Sequence, residues 1–259
     1  MNGSSPLDLL PIWALFLLTF AIATGATEAG FRLGLRWQRW RPQAGDAAGG
    51  VMVGATLGML GFFLAFLVGM AVDRFDGRRG MVMEEANAIG TSWLRAGYLD
   101  DADTQAIRPI LEEYTRQRLR LPVEQERADA LAQSTRLTTE LWAQTERVAK
   151  AHPDLPAVAI LVESVNQTID IGSKRNVAMA TWRIPGTIWL SVYVVAILTM
   201  LFVGFHGGLT GSRNQVEAVL LALTFAAVMN LIIDLDRPYA GLLQVNQEAL
   251  LQLVASFPK

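Results

Sequence analysis

Cysteine is absent from the 259-residue chain. Disulfides, thiol nucleophiles and thiolate-held metals are therefore excluded. Histidine occurs only at His152 and His206, too few and too far apart in sequence for a histidine-based zinc site. The net charge is −2, so the basic excess of a nucleic-acid binder is missing. No stretch alternates apolar and polar residues over the length of a convincing strand. Phosphate loops, nucleophile elbows, metalloprotease helices and dinucleotide fingerprints are likewise absent. The expectation is no enzymatic activity, no catalytic residues, no bound metal and no cofactor.

What the chain does have is apolar length. Leu9 to Thr27, Ala47 to Val72, Gly186 to Phe205 and Ala218 to Ile233 carry no charge. Each is close to the roughly 20 residues a helix needs to cross ~30 Å of hydrocarbon. Most of the charged residues fall between the second and third runs. The reading is an all-α, polytopic membrane protein. Residues 1–72 hold transmembrane helices 1 and 2, and residues 73–183 a helical extramembrane bundle. Residues 184–236 hold helices 3 and 4, and residues 237–259 a C-terminal amphipathic helix. The first run follows Asp8 and no basic residue, the wrong start for a cleaved signal, and is read as a retained helix.

The first helix ends in a segment where Arg32, Arg36 and Arg39 recur beside Trp37 and Trp40, as at a headgroup interface. Glu28 stands four residues before Arg32, the spacing of a helical ion pair. The second helix meets no breaker at Val72 and is expected to continue as far as Tyr98. The middle region predicts further helices: one with Pro109 near its first turn, one over Glu124 to Ala151, and one opened by Pro156 and ended by Pro185. The C-terminal stretch is expected to lie on the membrane or to pack on the helical region.

Four spans place both termini and the central region on one side. Short loops carry Arg32, Arg36, Arg39, Arg41 and Arg213, while the other side carries Arg74, Arg78, Arg79, Lys174, Arg175, Arg183 and Arg237. The larger total favours a cytoplasmic central region in a multi-pass inner-membrane protein. The ends of spans two and four share that side. A polar membrane-boundary cluster is expected there from Asp73, Arg74, Glu84, Glu85, Asn87, Asn230, Asp234, Asp236 and Arg237. One reading is a helix-end network in which arginines neutralise the acids; the other is an ion vestibule.

The second span carries two stripes. Gly50, Gly54, Gly58, Gly61, Ala65 and Gly69 keep to one face, as in close helix packing within lipid. Met59, Phe62, Phe63, Phe66 and Met70 lie on another face. Around an axis they would form a hydrophobic constriction, the pore and gate of a channel. Such a pore needs several copies of the chain.

The stretches VDRFDGRRGMVMEEANAIGTSWLRAGYL and DLDRPYAGLLQVNQEALL resemble the two signature blocks of a bacterial membrane family called bestrophin-like. The resemblance implies four spans with a helical insert between the second and third. More distantly, the layout is similar to bestrophins, pentameric anion channels whose second helix lines the pore with an aromatic and aliphatic neck. Phe62, Phe63 and Phe66 would take a neck-like place by that analogy. Bestrophins also clasp calcium with an acidic run after the fourth span; here only Asp234 and Asp236 stand there. The function expected first is a homo-oligomeric, possibly pentameric, anion-permeable channel. Its partners are its own copies, inorganic ions and membrane lipid. A membrane-anchored sensor and an ion-coupled transporter using Asp234 or Glu28 are the alternatives.

Overall fold

The structure is a computed structural model and describes residues 10–40, 47–239 and 241–258. Asp8, Leu9 and Arg41 lie outside these residues. The described residues form eight helices and no strand: α1 (Ile12–Trp40), α2 (Ala47–Ala96), α3 (Asp101–Arg120), α4 (Glu124–Ala151), α5 (Pro156–Thr181), α6 (Gly186–Thr210), α7 (Gln215–Asp236) and α8 (Glu248–Ser256). Four of them, α1, α2, α6 and α7, contain stretches long and apolar enough to cross a membrane.

The chain divides into two compact units. The first comprises residues 1–74 and 183–243, the second residues 75–182 and 244–259. The 50-residue α2 contributes to both, unbroken where the apolar run gives way to Asp73. Gly77 and Gly80 do not interrupt it, because isolated glycines cost a helix only about 1 kcal/mol each.

In the first unit, α1 packs on α6 and α7. Water is not available to drive apolar helices together in lipid, so close van der Waals approach has to do so. The sequence supplies it by Gly30 and Gly34 on α1 against Gly204 and Gly208 on α6. A Cβ on Gly30 would overlap the Leu201 carbonyl, and one on Gly204 the Thr27 carbonyl. These pairs keep the same spacing of four as the stripe of small residues on α2. Higher along the pair, the Thr19 and Tyr193 hydroxyls meet at 2.9 Å, satisfying two polar groups that lipid cannot. At the C-terminal end of α6, Gly211 takes the left-handed conformation (φ 68°) that closes the helix.

In the second unit, Ile89 of α2, Ile107 and Leu111 of α3, Leu141 and Val148 of α4, Leu161 and Val165 of α5 and Leu250 of α8 share one apolar core. The α3 helix begins at Asp100, whose carboxylate accepts the Asp103 N–H at 2.8 Å. Pro109 is therefore not near the first turn but well inside the helix. The cap fixes the start a full eight residues before Pro109, and the following core residues Ile110, Leu111 and Tyr114 hold the helix through it. The buried face of α4 is half polar, with Ser134 and Thr145 beside Leu137, Leu141 and Val148. Thr145 stays satisfied by donating to the Leu141 carbonyl at 2.7 Å. Of the two settings open to the C-terminal stretch, α8 takes the packed one: Leu250 is fully buried and Phe257 stacks on Trp93 with ring centroids 5.6 Å apart.

Gly204→Ala is expected to weaken the α1–α6 seam by roughly 1–3 kcal/mol, the range of overpacking. Gly25→Ala, where a Cβ meets open space, should cost nothing. Thermal unfolding in detergent compares them; equal midpoints would contradict the seam.

Candidate functional site

The α2 helix presents three faces in its apolar half. Leu60, Leu67 and Ala71 are buried and form the face turned to the rest of the first unit. Gly54, Gly58, Gly61 and Gly69 have nothing within 4 Å of an added Cβ, and Ala65 is exposed with them. Met59, Phe62 and Phe66 are exposed, Phe62 at 72%, while Phe63 and Met70 are half-buried. At 100° per residue the three faces stand roughly 120° apart. Two of the three are thus uncovered in the single subunit. In the apolar stretch of α2 only 11% is buried, against 33% in α7. Gly50 differs from the rest of its stripe, lying against the His206 ring.

A cavity of about 730 Å³ lies in the first unit between α1, α2, α6 and α7. Its polar wall holds Glu28, which pairs with Arg32 at 2.7 Å and with Arg213 at 3.4 Å. The Glu28–Arg32 i, i+4 pair is therefore present, with Arg213 added as a second partner from the α6–α7 turn.

The DLDRPYAG stretch is a set of chain anchors within the first unit. Asp236 ends α7, and its Oδ1 accepts the Ile184 N–H at 2.8 Å while Oδ2 pairs with Arg183 at 3.4 Å. Asp234 accepts the N–H groups of Leu242 at 2.8 Å and Leu243 at 3.0 Å, one on each oxygen. Gly241 is required for this turn: its φ is 121°, and a Cβ there would overlap the Asp234 carboxylate. Arg237 donates to the Leu10 carbonyl at 2.6 Å. Asn230, one turn before Asp234, has its side-chain oxygen enclosed without a hydrogen bond. On α2, Asp73 is exposed and Arg74 half-buried.

The EEANAIGT stretch belongs to the second unit. Glu84 and Asn87 are exposed. Glu85, between them, is fully buried and makes the centre of a charged cluster. Its Oε1 lies 2.7 Å from Arg118 Nε on α3, and its Oε2 pairs with Arg175 Nη1 on α5. The Tyr114 hydroxyl donates to Oε1 at 3.1 Å. Arg175 Nη2 in turn donates to the Gln247 side chain at 2.9 Å, and Arg118 Nη1 to Asn176 at 2.8 Å. Gly172 makes room for this, since a Cβ on it would overlap the Tyr114 hydroxyl. Burial and the neighbouring Glu85 carboxylate push the Tyr114 phenol above its ordinary value. The folded protein thus holds that proton more firmly. The stability it contributes is intact below the unfolded tyrosine range and is lost as pH rises through the folded value. Arg118, Arg175 and Tyr114 were not singled out from sequence: Arg175 stands 90 residues from Glu85, with no local pattern to join them.

Together these features define a class, an all-helical membrane protein with four helices able to span and a separate helical unit rich in buried charge. The bestrophin-like domain family matches residues 19–250, and the chain belongs to that family. The structure is similar to that of a bacterial bestrophin homologue from Klebsiella pneumoniae. A point variant of that homologue gives a TM-score of 0.67 at 13% identity, covering 92% of this chain and 99% of that one. A second K. pneumoniae structure gives 0.66 at 15% identity, covering 95% and 100%. A membrane protein carrying a proline-to-alanine substitution gives 0.60 at 14% identity, covering 95% and 99%. At these identities the likeness is one of fold. No curated protein matches the chain.

Removing one partner from a buried ion pair strands the others. Glu85→Ala leaves two buried guanidinium groups facing each other and is expected to cost roughly 3–5 kcal/mol. Glu84→Ala, on the exposed neighbour, should stay within about 0.5 kcal/mol. Thermal or denaturant unfolding distinguishes them, and similar midpoints for the two variants would contradict the cluster's role.

Proposed function

We propose that the protein is a homo-oligomeric ion channel of the cell membrane, with copies of α2 arranged around a shared axis. The observation that carries this is the pair of uncovered faces on α2. A helix that buries one face against its own subunit and leaves two others open, one of small residues and one of bulky apolar ones, has the form of a helix in a ring. The glycine face, from Gly54 to Gly69, lets a neighbouring copy approach closely. The Met59, Phe62, Phe63, Phe66 and Met70 face then points to the axis and narrows it to a constriction that gates by losing its water. Five copies and an anionic permeant ion are the assignment the resemblance to bestrophins favours. The same orientation argument from basic residues favours a bacterial inner-membrane location with the second unit cytoplasmic.

The transporter alternative draws no support from its two candidate carboxylates. Glu28 is shared between two arginines, and both oxygens of Asp234 are taken by backbone N–H groups. Asp236, Arg237 and Glu85 are engaged as anchors in the same way. Within the second unit, the exposed Glu84 and Asn87 are the boundary residues that would line an ion vestibule.

Liposomes reconstituted with the purified protein test the reading. Chloride efflux is expected, and Phe63→Ala combined with Phe66→Ala should raise it several-fold by widening the constriction. Absence of flux from both proteins, or equal flux from the two, would contradict the assignment.

A further inference from the structure

We infer that the cavity between α1, α2, α6 and α7 holds one zwitterionic phospholipid, its phosphate and ammonium at the α6–α7 turn and an acyl chain below. All four walls belong to the first unit. The volume, about 730 Å³, falls in the ~300–1,000 Å³ range of small-molecule sites. The cavity is polar at one end and apolar at the other. Its mouth is formed by Ser212, Arg213, Asn214 and Gln215, by Glu28 of α1 and by Glu217 in the first turn of α7. Beneath the mouth the walls are Val53 and Leu57 of α2, Val203 of α6 and Leu221 of α7. Leu57 stands ten residues into α2, about 15 Å from its start. That depth leads from the headgroup layer, roughly 5–7 Å thick on each side, into hydrocarbon. The hydroxyls of the deep part are spent on their own helix: Thr24 donates to the Phe20 carbonyl at 2.6 Å and Thr27 to the Ala23 carbonyl at 2.9 Å. A buried water needs roughly 2–4 polar partners, which this wall does not offer. An acyl chain needs none.

The mouth matches a head that carries both signs. Arg213 is held from three sides. Glu28 Oε2 lies 3.4 Å from Nη2, and the Phe31 ring centroid stands 5.3 Å from the guanidinium carbon. Gln215, with its amide oxygen turned toward Arg213, accepts from Nε at 3.1 Å and from Nη2 at 3.2 Å. Nη1 has no hydrogen-bond partner among the described residues. A guanidinium fixed in this way, with one nitrogen left to donate, suits a phosphate oxygen. Glu217 lines the same mouth and makes no ion pair or hydrogen bond among the described residues. Its carboxylate suits an ammonium. A phospholipid head with a phosphate and a primary amine answers both groups, whereas a purely anionic head leaves Glu217 unanswered. The bilayer supplies such a molecule on the spot. The site does not rest on conduction, and its test reads lipid rather than flux.

Full-length protein, stripped of lipid in detergent, is titrated with dioleoyl phosphatidylethanolamine or dioleoyl phosphatidylglycerol, and the lipid retained per subunit is counted by native mass spectrometry. The expected result is one phosphatidylethanolamine per subunit, with phosphatidylglycerol about tenfold weaker for want of one charge-assisted contact. Arg213→Ala should weaken phosphatidylethanolamine binding about tenfold. Val219→Trp, which fills the cavity from α7, should abolish it. Glu217→Gln should keep binding but erase the preference between the two lipids. All three side chains are exposed, so the thermal midpoints of the lipid-free variants should stay in place. Glycerophosphoethanolamine, the same head without chains, should not displace the lipid. Lipid retained equally by Val219→Trp and the unaltered protein is lipid coating the surface, and would overturn the site. So would no retained lipid, equal binding of the two lipids by the unaltered protein, or displacement by the chainless head.

Discussion

Lipid offers apolar helices no gain from hiding from one another, and the membrane part of this protein is organised by that constraint. The α1–α6 pair meets it with four glycines that let backbone touch backbone, and with the Thr19–Tyr193 contact that leaves neither hydroxyl bare. Asp234, Asp236 and Arg237 meet it at the helix ends, where the chain turns and its N–H and C=O groups would otherwise go unpaired. The α2 helix has no such partner on two of its faces. The proposed assembly answers that imbalance by giving the small residues and the bulky ones neighbouring copies to meet.

The second unit obeys a different rule. It is built around an apolar core, but its largest buried side chains include Arg78, Arg118 and Arg175. Glu85 neutralises two of these at once, and Tyr114 and Gln247 fill the remaining positions around them. Such a cluster adds little net stability over a well-packed apolar core, yet it tolerates no missing member. It joins α2, α3, α5 and the segment before α8 by named atoms, so it fixes their register more strictly than apolar packing alone would.

Much of this was legible in the sequence, and the parts that were not have a common cause. The four apolar helices, the continuation of α2, the bounds of α4 and the bestrophin-like signature blocks all rest on local pattern or contiguous words. The Glu28–Arg32 pair was visible for the same reason. The meaning of EEANAIGT was not: nothing marks Glu85 as buried and Glu84 as exposed until α3 and α5 supply Arg118 and Arg175. DLDRPYAG read as a concentration of charge, whereas each charge ties down a different strand of backbone, and Gly241 is part of that design. The α1–α6 seam was written in two short glycine pairs, overshadowed by the longer stripe on α2.

The central claim is that copies of this chain cover the open faces of α2. The native mass of the detergent-purified protein tests it most directly. The account predicts a closed ring whose mass is a whole multiple, five by the bestrophin analogy, of the 28.3 kDa subunit. A stable species at the mass of one subunit would contradict it.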